Sequence, residues 1–239
     1  MELLRSSILE NKKFDDRYFL LKVENKWGSY LKPGQFFQIR VKDGIEPFLS
    51  RPFSIFNVDN QSVWFLILLV GKGTTLLSQK QPGELLDMLG PLGNSFPEFE
   101  DATLVAGGSG LAPLYFFAQK SKFKRFIWGV KVSPPRELCE MIKPFNVTIV
   151  TEDGSSGLKG LATEYIDPAL DKVVFACGPE SMLNVLKKYT SIDSWASVES
   201  VMACGFGICF GCAVRKAGGD GFYRVCADGP VFKLEDIEF

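Results

Sequence analysis

From Leu4 to Phe99 the apolar residues gather in short runs, Tyr18 to Val23, Gln35 to Val41 and Val63 to Val70, parted by turn-forming clusters such as Leu31-Lys32-Pro33-Gly34. Runs of this kind, bounded by Gly and Pro, read as strands. No long helical period interrupts them. This part of the chain is therefore expected to form a small antiparallel barrel, with one short helix after Gly73.

Beyond Asp101 the rhythm changes. Thr103 to Ala106, Phe126 to Val130, Val147 to Thr151 and Val173 to Cys177 have the continuous apolar character of strands buried on both faces, and Leu111 to Gln119 and Pro179 to Tyr189 carry helical spacing between them. Strand and helix in alternation imply a doubly wound parallel sheet, whose ligands sit beyond the carboxyl ends of its strands. A last strand is expected near Ser197 to Val201, running straight into a stretch rich in Gly and Cys. The expected organisation is a barrel over residues 1–99, an α/β domain over 100–201 and a cysteine-bearing region over 202–239.

Composition narrows the chemistry. A chain of 239 residues accommodates two cores, and 46% apolar content with 21 Phe argues against disorder. The formal net charge is −1 with Lys and Arg scattered, so neither nucleic acid nor an anionic membrane is expected as a partner. Val63 to Val70 is too short to cross a bilayer, and no secretory pattern opens the chain, which points to the cytoplasm. There is no histidine. The commonest general base and metal ligand is thus missing, and any redox or group-transfer chemistry must come from a cofactor.

Six cysteines in a reducing compartment do not suggest disulfides. Cys204, Cys209, Cys212 and Cys226 have the C-x4-C-x2-C…C spacing of plant-type [2Fe–2S] sites. Gly205, Gly207 and Gly211 allow the backbone amides of such a loop to turn inward toward sulfur. A four-cysteine zinc site is the alternative reading. A Rieske centre, which needs histidine, is excluded.

Two further motifs point to nucleotides. Val105-Ala106-Gly107-Gly108-Ser109-Gly110-Leu111-Ala112-Pro113 follows a strand and opens a helix, so Gly107, Gly108 and Gly110 offer bare amides to a diphosphate, although a merely structural turn has the same look. Ala176-Cys177-Gly178-Pro179 and Thr151-Glu152-Asp153-Gly154 end other strands on the same side, making one crevice. A carboxylate there, Glu152 or Asp153, accepts hydrogen bonds from ribose hydroxyls and repels a 2′-phosphate, favouring NAD over NADP. The plainer alternative is an ordinary solvated turn. In the barrel, Ser50-Arg51-Pro52-Phe53-Ser54-Ile55 joins a guanidinium to a rigid, partly aromatic strand, and Gly71-Lys72-Gly73-Thr74 leads into the short helix.

Taken in order, Arg-Pro-Phe-Ser, Gly-Gly-Ser-Gly-Leu-Ala-Pro and Cys-Gly-Pro resemble the ferredoxin–NADP reductase superfamily over the whole chain. Within it, the appended cysteine loop with Cys-Ala-Asp-Gly-Pro-Val-Phe at Cys226 to Phe232 is similar to the electron-transfer subunits of two-protein, NAD-linked dihydroorotate dehydrogenases. The resemblance implies FAD on the barrel, NAD(H) on the α/β domain and a [2Fe–2S] cluster. The partner it implies is an FMN-containing catalytic subunit, in a heterotetramer of two plus two that serves pyrimidine biosynthesis. It also implies that Arg51 neutralises the FAD diphosphate, that Pro52, Phe53 and Ser54 line the flavin ring, and that Leu68, Leu69 and Val70 pass along the cofactor. Gly73 and Thr74 would hold phosphates, and Cys177 would lie near the nicotinamide.

A nicotinamide exchanges electron pairs and a [2Fe–2S] cluster single electrons, so a flavin between them is the required converter. The implied order is NAD, FAD, cluster, partner. No base for dihydroorotate oxidation is visible in the chain itself. Subunits serving a hydrogenase, a sulfide dehydrogenase or a ferredoxin-dependent bifurcating complex are rival assignments, as is a nucleotide-binding module with structural zinc.

Overall fold

The computed structural model describes residues 1–41 and 46–239. Its first part is a single antiparallel sheet of β1 (Glu2–Lys13), β2 (Tyr18–Glu24), β3 (Phe36–Ile39), β4 (Arg51–Ser54), β5 (Asn57–Val58), β6 (Ser62–Leu68) and β7 (Leu85–Leu92), in the order β4-β3-β7-β1-β2-β6-β5. The two edge strands, β4 and β5, are separated in the chain only by Ile55 and Phe56. Such a sheet must curl until its edges meet, which makes it a barrel. Leu21, Val23, Phe37, Ile39, Phe65 and Ile67 fill the interior, with Trp27 stacked edge-on to Phe37 at 4.6 Å. Helix α1 (Lys72–Ser78) follows β6 as the Gly-Lys-Gly-Thr turn suggests.

The second part is a parallel sheet of β8 (Thr103–Gly107), β9 (Arg125–Val130), β10 (Thr148–Thr151), β11 (Leu158–Lys159), β12 (Val173–Cys177) and β13 (Asp193–Ser197). Helices α2 (Leu111–Lys120), α3 (Arg136–Ile142) and α4 (Glu180–Lys187) lie among its strands in the chain. The strand order is β11-β10-β9-β8-β12-β13, so the winding reverses between β8 and β12. That switch point is where open α/β sheets bind ligands.

The last strand differs from the expectation. It lies at Asp193–Ser197, earlier than Ser197 to Val201, and it is not the edge of the sheet. After the cysteine loop the chain forms β14 (Ala213–Lys216) and β15 (Phe222–Arg224), then returns as β16 (Val231–Lys233) to pair antiparallel with β13, before β17 (Ile237–Glu238) closes a three-stranded sheet with β14 and β15. The cysteine region is thereby stitched into the α/β sheet at one end. Asn94, in the turn after β7, secures the barrel to the same place: its side chain donates to the Val231 carbonyl and accepts from the Val231 amide, both at 2.8 Å.

Barrel and sheet share one core. Tyr18, Leu20, Phe56 and Leu66 pack with Leu111, Leu114 and Tyr115, and the Phe56 and Tyr115 rings stack at 4.1 Å, a contact worth about 1 kcal/mol beyond its buried area. On the opposite side Phe36 and Leu92 of the barrel pack with Met202, Cys212, Val214 and Cys226. All three regions therefore hold fixed positions around one seam. Among the described residues no helix is long and apolar enough to cross a membrane.

Candidate functional site: two adjoining cavities and a cysteine loop

Two cavities open along that seam. The first, of about 370 Å³, is walled on the barrel side by Phe36, by Pro52, Phe53 and Ser54 of the edge strand β4, and by Leu68, Val70 and Thr74. Its other wall is Ser109, Ala112 and the segment following β13, Val198 to Ser200, with Met202 and Pro230 beyond. Its size suits a planar ring system. Arg51 lies outside this wall. Its Nη1 donates to the Leu49 carbonyl at 2.6 Å, and a Cβ on Gly73 would come within 3.1 Å of its Nε, so glycine leaves room for the guanidinium. The Thr74 hydroxyl donates to the Gly71 carbonyl at 3.0 Å and accepts from the Val70 amide at 3.0 Å, which closes the first turn of α1. Leu69 packs against the barrel core rather than the cavity.

The second cavity, of about 610 Å³, sits at the carboxyl ends of the parallel strands. Gly107 ends β8 and Gly108 follows it, Val130 ends β9 with Lys131 and Val132 after it, Glu152 follows β10, and Pro179 with Met182 follow β12. The three loops that the sequence placed together do converge here, but their residues divide. Gly108 faces open space, whereas a Cβ on Gly110 would lie 1.9 Å from the Cys177 carbonyl oxygen, so Gly110 is there for close helix-to-strand packing. Gly107 and Gly178 touch across the switch point: a Cβ on Gly178 would lie 3.0 Å from the Gly107 Cα. Asp153 turns away from the cavity to receive the Ser155 hydroxyl at 2.6 Å and amide at 2.9 Å, and those bonds hold its carboxyl below the ordinary value. Of these two neighbours, Glu152 is the one that faces the cavity. Cys177 is buried and lines neither cavity; burial and the nearby Glu199 push its thiol well above the ordinary range, against a bond from Ser197.

Leu68, Ser109 and Glu199 belong to both cavities. Glu199 was not picked out from sequence. Glu199 is exposed as a residue, yet the walls crowding its carboxyl raise it above 4.5, with the Ser109 hydroxyl at 3.2 Å opposing the rise. The signal that could have found it is positional, a lone carboxylate just past the end of a parallel strand, where ligands of such sheets lie.

The cysteine loop lies beyond the first cavity. Cys212 and Cys226 are buried, Cys204 is half-buried and Cys209 is exposed. The thiols fall into two pairs. Burial raises Cys204, but the amides of Cys209, Phe206 and Ile208 and the Cys209 thiol all donate to it and bring it down to about 6. Cys226 is pushed up to about 12 by burial and by its hydrogen bond and charge repulsion with Cys212. The Gly211 amide donates to Cys209 Sγ and the Cys226 amide to Cys212 Sγ, each at 3.4 Å. Inward amides around paired thiols suit a cluster in which each of two irons takes two cysteines. Among the described residues no three His, Cys, Asp or Glu side chains are grouped so as to hold a single metal ion. Arg224 braces the loop, donating to the Gly207 carbonyl at 3.2 Å while paired with Asp228 at 2.9 Å.

Comparison with known proteins agrees with this geometry. The fold is that of ferredoxin reductases: the chain superposes on the NADH-dependent reduced ferredoxin–NADP oxidoreductase with a TM-score of 0.84 at 24% identity, covering 98% of this chain and 89% of that one. It superposes on a ferredoxin NADP+ reductase from Neisseria gonorrhoeae, solved with FAD and NADP, with a TM-score of 0.63 at 19% identity over 79% of this chain and 90% of that one. Residues 199–238 match the model of the iron–sulfur cluster binding domain of dihydroorotate dehydrogenase B. Among curated proteins, the chain is 35% identical to a dihydroorotate dehydrogenase B (NAD(+)) electron transfer subunit from Caldanaerobacter subterraneus, over 99% of this chain and 98% of the relative. It is 38% identical to the corresponding subunit from Bacillus mycoides, over 86% of each. The chain belongs to the family of dihydroorotate dehydrogenase B electron-transfer subunits.

Proposed function

We propose that the first cavity holds the isoalloxazine of FAD, the second holds NAD(H), and Cys204, Cys209, Cys212 and Cys226 ligate a [2Fe–2S] cluster, through which the chain exchanges electrons with a separate FMN-containing catalytic subunit. The observation that carries this reading is that Leu68, Ser109 and Glu199 line both cavities, so rings bound in the two would be neighbours across a single shared boundary. When bound, the flavin supplies the exchange between electron pairs and single electrons. The chain's own residues do the rest.

Pro52, Phe53 and Ser54 orient the ring from the barrel side, and Arg51, half-buried beside Gly73, offers the positive charge for the diphosphate. Gly108 leaves the second cavity open to a pyrophosphate, and Glu152 faces the ribose, favouring NAD. Phe36 on the barrel side and Met202 on the other both line the first cavity and belong to the apolar cluster that holds Cys212 and Cys226. That apolar cluster would lie between a flavin bound in the first cavity and the cysteine loop. At the outer surface Ile208 is 74% exposed and Val201 83% exposed, an apolar rim suited to close approach by the catalytic subunit. A heterotetramer of two plus two fits this reading.

The test is direct. The purified full chain should carry FAD, iron and acid-labile sulfide, should reduce an artificial dye from NADH, and should oxidise dihydroorotate only when its catalytic partner is added. Zinc without flavin would end the proposal, and turnover of dihydroorotate by the chain alone would end the two-subunit scheme.

A further inference from the structure

Gln38 is 2% exposed, and neither its Nε2 nor its Oε1 has a hydrogen-bond partner among the described residues. A carboxamide buried without partners is costly, so a chain that keeps one in a core position has something for it to bind. The barrel interior is not that partner. On β3 the side chains alternate, and Phe37 enters the barrel core while Phe36 and Gln38 face the other way.

What Gln38 meets on that side is the cysteine loop. A Cβ on Gly205 would lie 2.6 Å from the Gln38 Cγ and 3.1 Å from its Nε2, and Gly205 itself has a φ of +80°. Glycine at 205 therefore lets the loop settle directly onto the carboxamide, one residue after Cys204. Phe36, one strand repeat away on the same face, lines the first cavity. Gln38 is thus two residues from a side chain that lines the first cavity and in contact with the loop residue that follows Cys204.

We propose that Gln38 is a positioning residue for electron transfer, its Nε2–H donating a hydrogen bond from the barrel to sulfur of the cluster on its Cys204 side. The inference rests on the cluster reading above. One-electron reduction adds one negative charge to the cluster without a proton, and a donor aimed at sulfur stabilises that charge. Hydrogen bonds to sulfur are among the main determinants of cluster potential. Gln38 accordingly raises the potential and makes the cluster a better acceptor from the flavin.

The experiment is an anaerobic redox titration of the full-length flavin- and cluster-loaded chain, followed by the electron paramagnetic resonance of the reduced cluster, for the wild type and Gln38→Met. Methionine keeps the volume and removes the donor. At a fixed solution potential the ratio of reduced to oxidised cluster should fall by about tenfold, a downward shift of ~59 mV for one electron. In the wild type labelled with 15N only at glutamine side-chain amides, a 15N coupling to the reduced cluster should be seen; this reads the contact even if Gln38→Met assembles poorly. Equal potentials, or no 15N coupling, would overturn the proposal, and equal potentials with a higher melting temperature in Gln38→Met would mark Gln38 as an unpaired polar group. A wild-type chain with no cluster signal at all would instead refute the cluster reading, so the two failures are distinct.

Discussion

Ser109 donates its hydroxyl to Glu199 Oε1 at 3.2 Å, and the pair stands on the wall common to the two cavities. Crowding by the cleft walls raises the Glu199 carboxyl above 4.5. The folded protein therefore holds this proton more tightly than the unfolded chain. Its contribution to stability is fully present below pH 4.5 and is lost as pH rises through the folded value. Glu199→Gln keeps the shape and the bond to Ser109 but cannot ionise. In cofactor-free protein, urea melts should show Glu199→Gln more stable than wild type at pH 7, with the gain shrinking toward zero below pH 4.5. A gain that is independent of pH would show that Glu199 ionises normally.

Gly108 and Gly110 lie two positions apart in one turn and should respond in opposite ways. A methyl on Gly110 would lie 1.9 Å from the Cys177 carbonyl oxygen, a backbone atom. Gly110→Ala should cost ~3 kcal/mol or prevent folding, because neither strand nor helix can yield. Gly108 has open space about it and a φ of +54°. Gly108→Ala should cost about 1–2 kcal/mol of left-handed strain and raise the KM for NADH several-fold, since it faces the second cavity. Thermal melts and dye-reduction kinetics on both variants separate a packing glycine from a binding one.

These two glycines show what the sequence could and could not disclose. Order along the chain made the barrel, the alternating α/β part and the cysteine spacing legible, because each depends on local period or fixed spacing: Val173–Cys177 and Tyr18–Glu24 fall where apolar runs place them. The first strand, Glu2–Lys13, carries a mixed burial pattern with a register shift between Ile8 and Glu10, so no clean alternation marks it. The return of Val231–Lys233 to the far edge of the parallel sheet is a long-range pairing with no local signature. At the site, motif membership did not reveal side-chain direction. Asp153 and Glu152 are neighbours, yet one is tied down by Ser155 and the other faces the cavity. Cys177 sits in the expected strand end but is sealed behind Gly110.

Asp171 anchors the parallel sheet from below. It is fully buried and accepts from Thr103 Oγ1 at 2.7 Å, Arg125 Nε at 2.9 Å and the Asp167 amide at 2.8 Å. Burial alone would raise its carboxyl, but these donors, Arg125 first among them, hold it below 3.8. The stability it contributes is therefore present above pH 3.8 and is lost as pH falls through the lower folded value. Asp171→Ala leaves Thr103 Oγ1 and Arg125 Nε without an acceptor, and Arg125 keeps the Tyr165 carbonyl. The loss should be roughly 3–5 kcal/mol at pH 7, narrowing below pH 3.8, in denaturant melts across that range. A loss under 1 kcal/mol at pH 7 would show that water replaces the carboxylate at little cost.

The exposed rim of the cysteine loop is where the catalytic subunit should dock. Ile208 is 74% exposed and contributes an amide to Cys204 through its backbone, so its side chain can change without removing that bond. Ile208→Glu should leave iron content, FAD content and NADH-dependent dye reduction within about twofold of wild type. Placed at the centre of a desolvated interface, however, an unpaired carboxylate costs several kcal/mol. Association with the catalytic subunit should weaken at least about tenfold, which corresponds to ~1.4 kcal/mol, and dihydroorotate-to-NAD turnover at limiting subunit should fall with it. The same substitution at Leu158, which is 43% exposed on the outermost strand of the parallel sheet, should affect neither quantity. Equal loss at both positions would point to a general fault in folding, and no loss at Ile208 would move the partner's footprint away from the cysteine loop.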